Sequence, residues 1–452
     1  MTNWFNWILS FCLISSVQFL CAENTTTVTI YNSNLGLIQE QQTLHLKSGR
    51  QDVNITDVAA QIDPATVHLN AGKSLPFHLL EQNFQYDLVN SSKVFDTYLG
   101  SKIQLMTKGN EQVKGELLSR DGSILMLQNA DGTLRLINSG EIQEYQFPKL
   151  PRGLKIHPTL QWVIDADKSG EYPVELSYLT GGMSWKAEYI LRMDTTDQNG
   201  MLSSWITLTN NSGATFDDAK VKLVAGNIHR AESNNHPGFQ SMAAMAKAPP
   251  VQERGIFEYH LYDIQFPTTL YQNSVKQVAL REPTRVNYHK EYTFEHSDRQ
   301  STKQENVDVQ IVLENTRENN LGIPLPGGTV RMMQVDTDEK EVLVGEDMLN
   351  HTPRDETIRL TAGQAFDVVG DRTITDYQKK SNDYSQISVS ISLRNHKKSP
   401  VTIQVLEHYY GDWEVQKSSQ NYTTPNAGTL RFDVNVPKEG ESRVQYTVER
   451  HY

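Results

Sequence analysis

Cysteine is nearly absent from this chain of 452 residues, which contains only Cys12 and Cys21. Both lie within residues 1–22, an apolar segment typical of a removable export signal. If that segment is cleaved, the mature chain holds no thiol. Disulfide bonds, a thiolate nucleophile and a cysteine-ligated metal are then excluded.

Positive charge is also scarce, because 42 Lys and Arg stand against 54 Asp and Glu, for a net charge of −12. An acidic chain without a Lys/Arg run is poorly suited to a phosphate backbone, so we expect no nucleic-acid partner. After the N-terminal segment, no apolar run approaches the length of about 18 residues that a membrane helix needs. We therefore expect no transmembrane segment once the signal is removed.

The sequence also lacks the short motifs of common enzyme classes. It has no glycine-rich nucleotide loop, no phosphate loop, no Gly-x-Ser-x-Gly and no His-Glu-x-x-His. Its 13 histidines are scattered singly along the chain. They include His68, His351 and His408. We therefore assign no catalytic, cofactor-binding or metal-ligating residue and expect no cofactor.

Residues 1–22 are the clearest targeting feature. The stretch from Trp7 to Ala22 is uncharged and interrupted by Ser15, Ser16 and Gln18, which favours a signal peptide cleaved after Ala22 over a membrane span. We predict a periplasmic or secreted protein. The alternatives are an uncleaved N-terminal anchor, and a lipid anchor on Cys21.

Alternation of apolar and polar residues with a period of two dominates the remaining chain. From Val174 to Met193 it continues on both sides of Gly181-Gly182, which predicts a β-hairpin with one buried face. Tyr178, Trp185 and Tyr189 are its bulkiest apolar residues. The predicted fold class is mainly β, with several antiparallel β-sandwich-like units.

The same pattern predicts a domain order: a signal peptide (1–22), an N-terminal β region (23–92), a small SH3-like barrel insert (93–148), a central antiparallel domain (149–380) and an immunoglobulin-like C-terminal sandwich (381–452). Within the insert, Asp121-Gly122 and Asp131-Gly132 predict hairpin turns, and Gly115 predicts a bend. Some small barrels bind RNA or peptides, whereas a purely structural insert is the simpler interpretation. In the central domain, residues 229–255 are rich in Pro, Ala and small polar residues and are predicted to form a mobile loop.

Several sequence pieces carry a resemblance to a known family. They are Ser177-Tyr178-Leu179-Thr180, Trp185, Ala187, Tyr189, Leu223-Val224-Ala225-Gly226, Leu325-Pro326-Gly327-Gly328, Val344-Gly345-Glu346-Asp347, Ala365-Phe366-Asp367-Val368, Arg394-Asn395-His396, Glu407 and Trp413. On these residues the chain from about Gly170 to the C-terminus resembles the bacterial family catalogued as domain of unknown function (DUF) 4139. The region around Asp63-Pro64 is similar to the N-terminal part of its members. The resemblance implies an exported, mostly β protein and supplies no activity or site residue.

Two functions follow as hypotheses. The preferred one is a non-enzymatic cell-envelope protein that binds a protein or glycan partner through β-sheet edges and loops. The alternative is a periplasmic carbohydrate-active hydrolase. Such an enzyme needs two carboxyl groups at a fixed separation, and the sequence offers Asp217-Asp218 and Glu346-Asp347 as pairs without showing their geometry.

Overall fold

The computed structural model describes residues 25–71, 77–85, 90–149, 154–195, 197–226, 251–256, 259–297, 299–336, 338, 340–380 and 384–451. The predicted signal peptide with both cysteines, and residues 229–250 of the predicted loop, lie outside these ranges. The described residues form thirty β-strands, one α-helix and two short 3₁₀ helices. None of the helices in these ranges is long and apolar enough to cross a membrane.

The N-terminal strands are β1 (Thr26–Tyr31), β2 (Leu35–Leu46), β3 (Gly49–Thr56), β4 (His68–Asn70) and β5 (Phe77–Gln85), with a 3₁₀ helix at Pro64–Thr66. The insert consists of α1 (Ser91–Thr97), β6 (Lys102–Thr107), β7 (Gln112–Asp121), β8 (Ile124–Gln128), β9 (Leu134–Asn138), a 3₁₀ helix at Ser139–Glu141 and β10 (Ile142–Gln146).

The central strands are β11 (Thr159–Ala166), β12 (Gly170–Thr180), β13 (Met183–Met193), β14 (Asn199–Asn210), β15 (Phe216–Ala225), β16 (Val251–Ile256), β17 (Tyr259–Ile264), β18 (Thr268–Leu270) and β19 (Ser274–Asn287). The remaining strands are β20 (His289–Ser297), β21 (Thr302–Glu314), β22 (Gly328–Val335), β23 (Glu341–Leu349), β24 (Thr357–Lys379), β25 (Tyr384–Asn395), β26 (Val401–His408), β27 (Asp412–Ser418), β28 (Thr423–Asn426), β29 (Thr429–Val436) and β30 (Gly440–His451).

The first sandwich joins the N-terminal region to the central region. An eight-stranded sheet has the order β16-β17-β15-β1-β2-β12-β4, with β18 paired to β15, and a five-stranded sheet has the order β19-β14-β13-β22-β23. Both sheets, with the three-stranded sheet β3-β11-β5, contribute to one apolar core. Most pairs are antiparallel, and β1–β15 and β13–β22 are parallel.

The stretch from Val174 to Met193 forms two strands with the predicted buried face, but it is not a hairpin. Tyr178, Trp185 and Tyr189 are at most 3% exposed, as the alternation predicts. However, β12 pairs with β2 and β4, while β13 pairs with β14 and β22. Gly181-Gly182 therefore carries the chain from one sheet to the other, and neither strand pairs with the other.

The insert has its own core and its own sheet, with the order β10-β6-β7-β8-β9. Both predicted Asp-Gly turns are present, since β7 pairs with β8 and β8 with β9. In this part of the chain β9 and β10 do not pair with each other, so the small barrel is not closed by hydrogen bonds.

The second sandwich is the C-terminal unit. Its nine-stranded sheet has the order β27-β30-β25-β24-β21-β20-β26-β29-β28 and folds back so that β29 contacts β30 across a separate core. The predicted boundary at residue 381 divides this sheet, because β20, β21 and β24 come from the predicted central domain. The parallel pairing of β20 with β26 joins these three strands to the C-terminal strands β26, β29 and β28.

The C-terminal end of the predicted loop 229–255 is a strand. Residues 251–256 form β16, which pairs antiparallel with β17, and Val251 is 2% exposed. The end of the predicted loop 229–255 is therefore part of the eight-stranded sheet. The loop-like composition before this segment gave no sign of the strand, because its partner β17 lies beyond the predicted loop in the chain.

Candidate functional site: a polar pocket in the insert

An aromatic cluster sets the frame of the insert. Asn90 caps α1 by accepting a hydrogen bond from the Lys93 amide at 3.0 Å. From this helix Phe95 packs edge-on against Phe147, with ring centroids 5.2 Å apart. Tyr98 donates a hydrogen bond to the Lys149 carbonyl at 2.6 Å. The two ends of the insert are therefore held together around Phe147.

A pocket of about 900 Å³ crosses this sheet. Its lining residues come from β6, β7, β8 and β10, from the turn between β8 and β9, and from the segment that follows β10: Lys102, Ile103, Gln104, Lys114, Gly115, Glu116, Gln128, Asn129, Ala130, Gly132, Gln146, Phe147 and Pro148. We call it the insert pocket. Its volume falls in the range of small-molecule sites.

Gly115 is one of the lining residues of the insert pocket. It lies on β7 opposite Ile103 of β6. A Cβ atom at this position would stand 2.9 Å from the Gln128 carbonyl oxygen and 3.2 Å from Cβ of Leu127. The close approach of β7 to β8 at this point thus depends on glycine.

One rim of the pocket is the turn between β8 and β9. Asp131 accepts hydrogen bonds from the Thr133 hydroxyl at 2.6 Å and the Thr133 amide at 3.0 Å, and these bonds lower the pKa of its carboxyl group. Asn129 donates to the Thr133 hydroxyl at 2.9 Å. The rim is therefore fixed before any ligand arrives.

The pocket offers mainly amide groups. Gln104 of β6 and Gln146 of β10 are register partners, and in the described residues neither side chain makes a hydrogen bond. Lys102, Lys114 and Glu116 supply the only charges of the lining. Amides both donate and accept, so this surface is matched to neutral ligands that do both.

The amide groups of the lining are suited to binding a ligand. The lining contains no Ser, Thr, Cys, His or Tyr, and its only carboxyl group belongs to Glu116. A hydroxyl or thiol nucleophile with a histidine base, or two facing carboxyl groups, would need residues that the lining does not include. The apolar part of the lining includes Phe147, Ile103 and Pro148.

A second pocket of about 560 Å³ lies where the five-stranded sheet of the first sandwich meets β21 and β24. Lys290 and Asp197 are among its lining residues and form an ion pair of 2.7 Å. Their charges thus satisfy each other. This pocket leaves little free polar chemistry for a ligand.

The carboxylate pairs suggested by the sequence are not brought together. Asp217 and Asp218 lie on β15, whereas Glu346 and Asp347 lie on β23 in a different sheet. Glu346 pairs with Arg331 at 2.8 Å, and Asp347 accepts the Thr361 amide at 2.7 Å. None of these four residues lines a described pocket.

The histidines singled out in the sequence also stand apart. His68 is exposed on β4, and His408 contacts Glu295 at 2.6 Å. His351 accepts the Gly327 amide at 3.0 Å, and burial lowers the pKa of its imidazole. In the ranges that the structure describes, no three His, Cys, Asp or Glu side chains gather as a metal site.

Sequence reasoning did not single out the amides of the insert pocket. Gly115 and the two Asp-Gly turns marked its position, but Gln104 and Gln146 are far apart in the chain and resemble ordinary exposed strand residues. Only the register of β6 against β10 places them side by side.

No protein-family model matches the chain, and no curated protein matches it either. The resemblance to the DUF 4139 family therefore stays a prediction. The fold and the pockets carry the functional argument alone.

Proposed function

We propose that this protein is an exported, non-enzymatic binding protein of the cell envelope, and that its insert pocket binds a neutral glycan. The observation that carries the proposal is the combination of unpaired amides, Gln104 and Gln146, with the ring of Phe147 in one pocket of about 900 Å³. Sugar hydroxyls both donate and accept hydrogen bonds, and the C–H faces of sugar rings are apolar.

A glycan fits this pocket better than a nucleic acid does. A phosphate backbone needs a basic face, whereas the lining holds two lysines and one glutamate. The hydrolase alternative needs a second carboxyl group facing Glu116. Export remains part of the proposal on the strength of residues 1–22.

The test is binding of chito-, cello- and malto-oligosaccharides to the full mature chain, measured by calorimetry. The double variant Gln104→Ala/Gln146→Ala is expected to weaken binding by about tenfold or more, because two polar contacts to the sugar are lost. The matched control is Gln143→Ala. Gln143 is exposed and lies on β10, as Gln146 does, but it is not a lining residue of the pocket.

Unchanged affinity of the double variant, or no binding by any oligosaccharide of the panel, would reject the insert pocket as a glycan site. Release of shortened products during incubation would favour the hydrolase. N-terminal sequencing of the envelope fraction tests export separately, with Glu23 expected as the first residue.

A further inference from the structure

Three arginines surround a pocket of about 540 Å³ in the first sandwich, far in sequence from the insert. The lining residues are Arg281, Pro283, Thr284 and Arg285 from β19, and Arg317, Asn320 and Leu321 from the turn after β21. We call this the arginine pocket. It contains no acidic residue, in a chain whose net charge is −12.

One side of the arginine pocket is β19, an edge strand of the five-stranded sheet that contains a β-bulge. The register of β14 against β19 shifts on both sides of Ser204, which is paired with Arg281. Glu282 and Pro283 fall in this bulge, where proline is tolerated because no ladder hydrogen bond is required of it. Arg281 and Arg285 lie on either side of this bulge, and both line the arginine pocket.

The opposite side is a turn held firmly on β19 by asparagines. Asn319, 6% exposed, donates to the Asn287 carbonyl at 3.0 Å and accepts the Asn287 amide at 2.6 Å. Asn320 donates to the Arg285 carbonyl at 2.9 Å. These bonds fix the turn that carries Arg317 against the strand that carries the other two arginines.

Gly322 confirms how closely this turn is packed. Its φ is +74°, and a Cβ atom here would lie 2.7 Å from Cγ of Arg317 and 2.8 Å from the Arg317 amide nitrogen. The stem of Arg317 therefore lies against the glycine. Close packing of this kind restrains the backbone of the turn, as a preorganised site requires.

The charges of the arginine pocket are unmatched within the described chain. Elsewhere arginines pair with carboxylates, as Arg331 does with Glu188 and Glu346. Arg281 donates only to the Asn320 carbonyl at 3.0 Å, and its Nη1 is buried without a hydrogen-bond partner. Burial lowers the pKa of this guanidinium group.

An unpaired, partly buried cation costs free energy, and Arg281 shares its surroundings with a second unsatisfied group, Oγ of Ser204. A guanidinium group matches phosphate and carboxylate oxygens in a two-pronged geometry. We propose that the arginine pocket binds an oxyanion, a phosphate or carboxylate group of a small ligand, through Arg281, Arg285 and Arg317.

The test uses the full mature chain and two probes, inorganic phosphate and glucuronate, each titrated by calorimetry at constant ionic strength set with sodium chloride. Arg285→Ala/Arg317→Ala removes two exposed arginines and is expected to weaken binding of the preferred probe about tenfold or more. Binding of phosphate alone identifies a phosphate group as the ligand chemistry, and binding of glucuronate alone identifies a carboxylate.

The control variant is Arg354→Ala/Arg443→Ala, which removes the same charge at exposed positions outside the pocket. It is expected to bind like the unaltered chain, and Arg281→Lys, which keeps the charge and loses the fork, is expected to bind more weakly. Equal weakening in both double variants, or no binding of either probe, would overturn the proposal. Either result leaves glycan binding in the insert pocket untouched.

Discussion

Arg372 of β24 and Glu407 of β26 form an ion pair inside the second sandwich, and both side chains are 0% exposed. Nε of Arg372 donates to Oε1 of Glu407 at 2.9 Å, and Nη2 donates to Oε2 at 2.6 Å. Tyr446 also donates to Glu407, and Tyr409 bonds to Tyr446 at 2.8 Å. This network links strands that lie far apart in the nine-stranded sheet.

Breaking this pair is expected to destabilise the protein strongly. Glu407→Ala leaves a buried guanidinium group without its counter-charge, at a cost of about 3–5 kcal/mol in the free energy of unfolding. Arg372→Met/Glu407→Leu removes both charges and is expected to cost clearly less. Urea denaturation measures both. A double variant less stable than Glu407→Ala would contradict this account.

Alkaline pH is expected to destabilise the fold through buried tyrosines. Burial raises the pKa of several phenols above the ordinary value near 10, among them those of Tyr178, Tyr189, Tyr262, Tyr409 and Tyr446. Above that value the unfolded chain loses these protons while the folded chain keeps them. Stability is therefore complete below about pH 10 and falls as the pH rises further.

Urea unfolding midpoints measured from pH 8 to pH 11, with tyrosinate absorbance recorded in parallel, test this expectation. A midpoint that stays constant while the buried tyrosines ionise would refute it.

The corner at Gly182 is expected to tolerate no side chain. Its φ is +78°, and a Cβ atom would lie 2.6 Å from the Asn211 carbonyl oxygen. Gly49 is the control: its φ is +93°, but a Cβ atom there would meet no other atom within 4 Å. A substitution at Gly49 therefore measures backbone strain alone, without a steric clash. Gly49→Ala should cost about 1–2 kcal/mol of unfolding free energy, and Gly182→Ala clearly more. Equal losses in thermal or urea unfolding would count against the corner.

The insert is expected to fold when excised as residues 90–149. Its core is separate from those of the sandwiches, and Tyr98 ties its two ends together through Lys149. A fragment of about 60 residues can fold alone but with little margin. We expect a cooperative thermal transition that Leu117→Ala abolishes, because Leu117 is 0% exposed. A featureless melt of the unaltered fragment would show that the sandwiches support it.

Local sequence patterns predicted much of the strand content and its buried faces. Ile387, Val389, Ile391 and Leu393 are at most 1% exposed, as their alternation with serines indicates. The same reasoning placed the Asp-Gly turns of the insert. It did not find the pockets, because Gln104 and Gln146, or Arg281 and Arg317, lie on different elements and become neighbours only through strand pairing and turn packing.

The sequence by itself determined which residues are extended and which side of each strand is apolar, since both depend on neighbours two positions apart. Only the tertiary structure decided that β12 and β13 part at Gly182 into opposite sheets, and that β20, β21 and β24 join the C-terminal strands. Pairing partners are chosen by hydrogen bonds and burial between distant segments. An alternating strand satisfies those requirements equally well with many neighbours until the whole core is assembled.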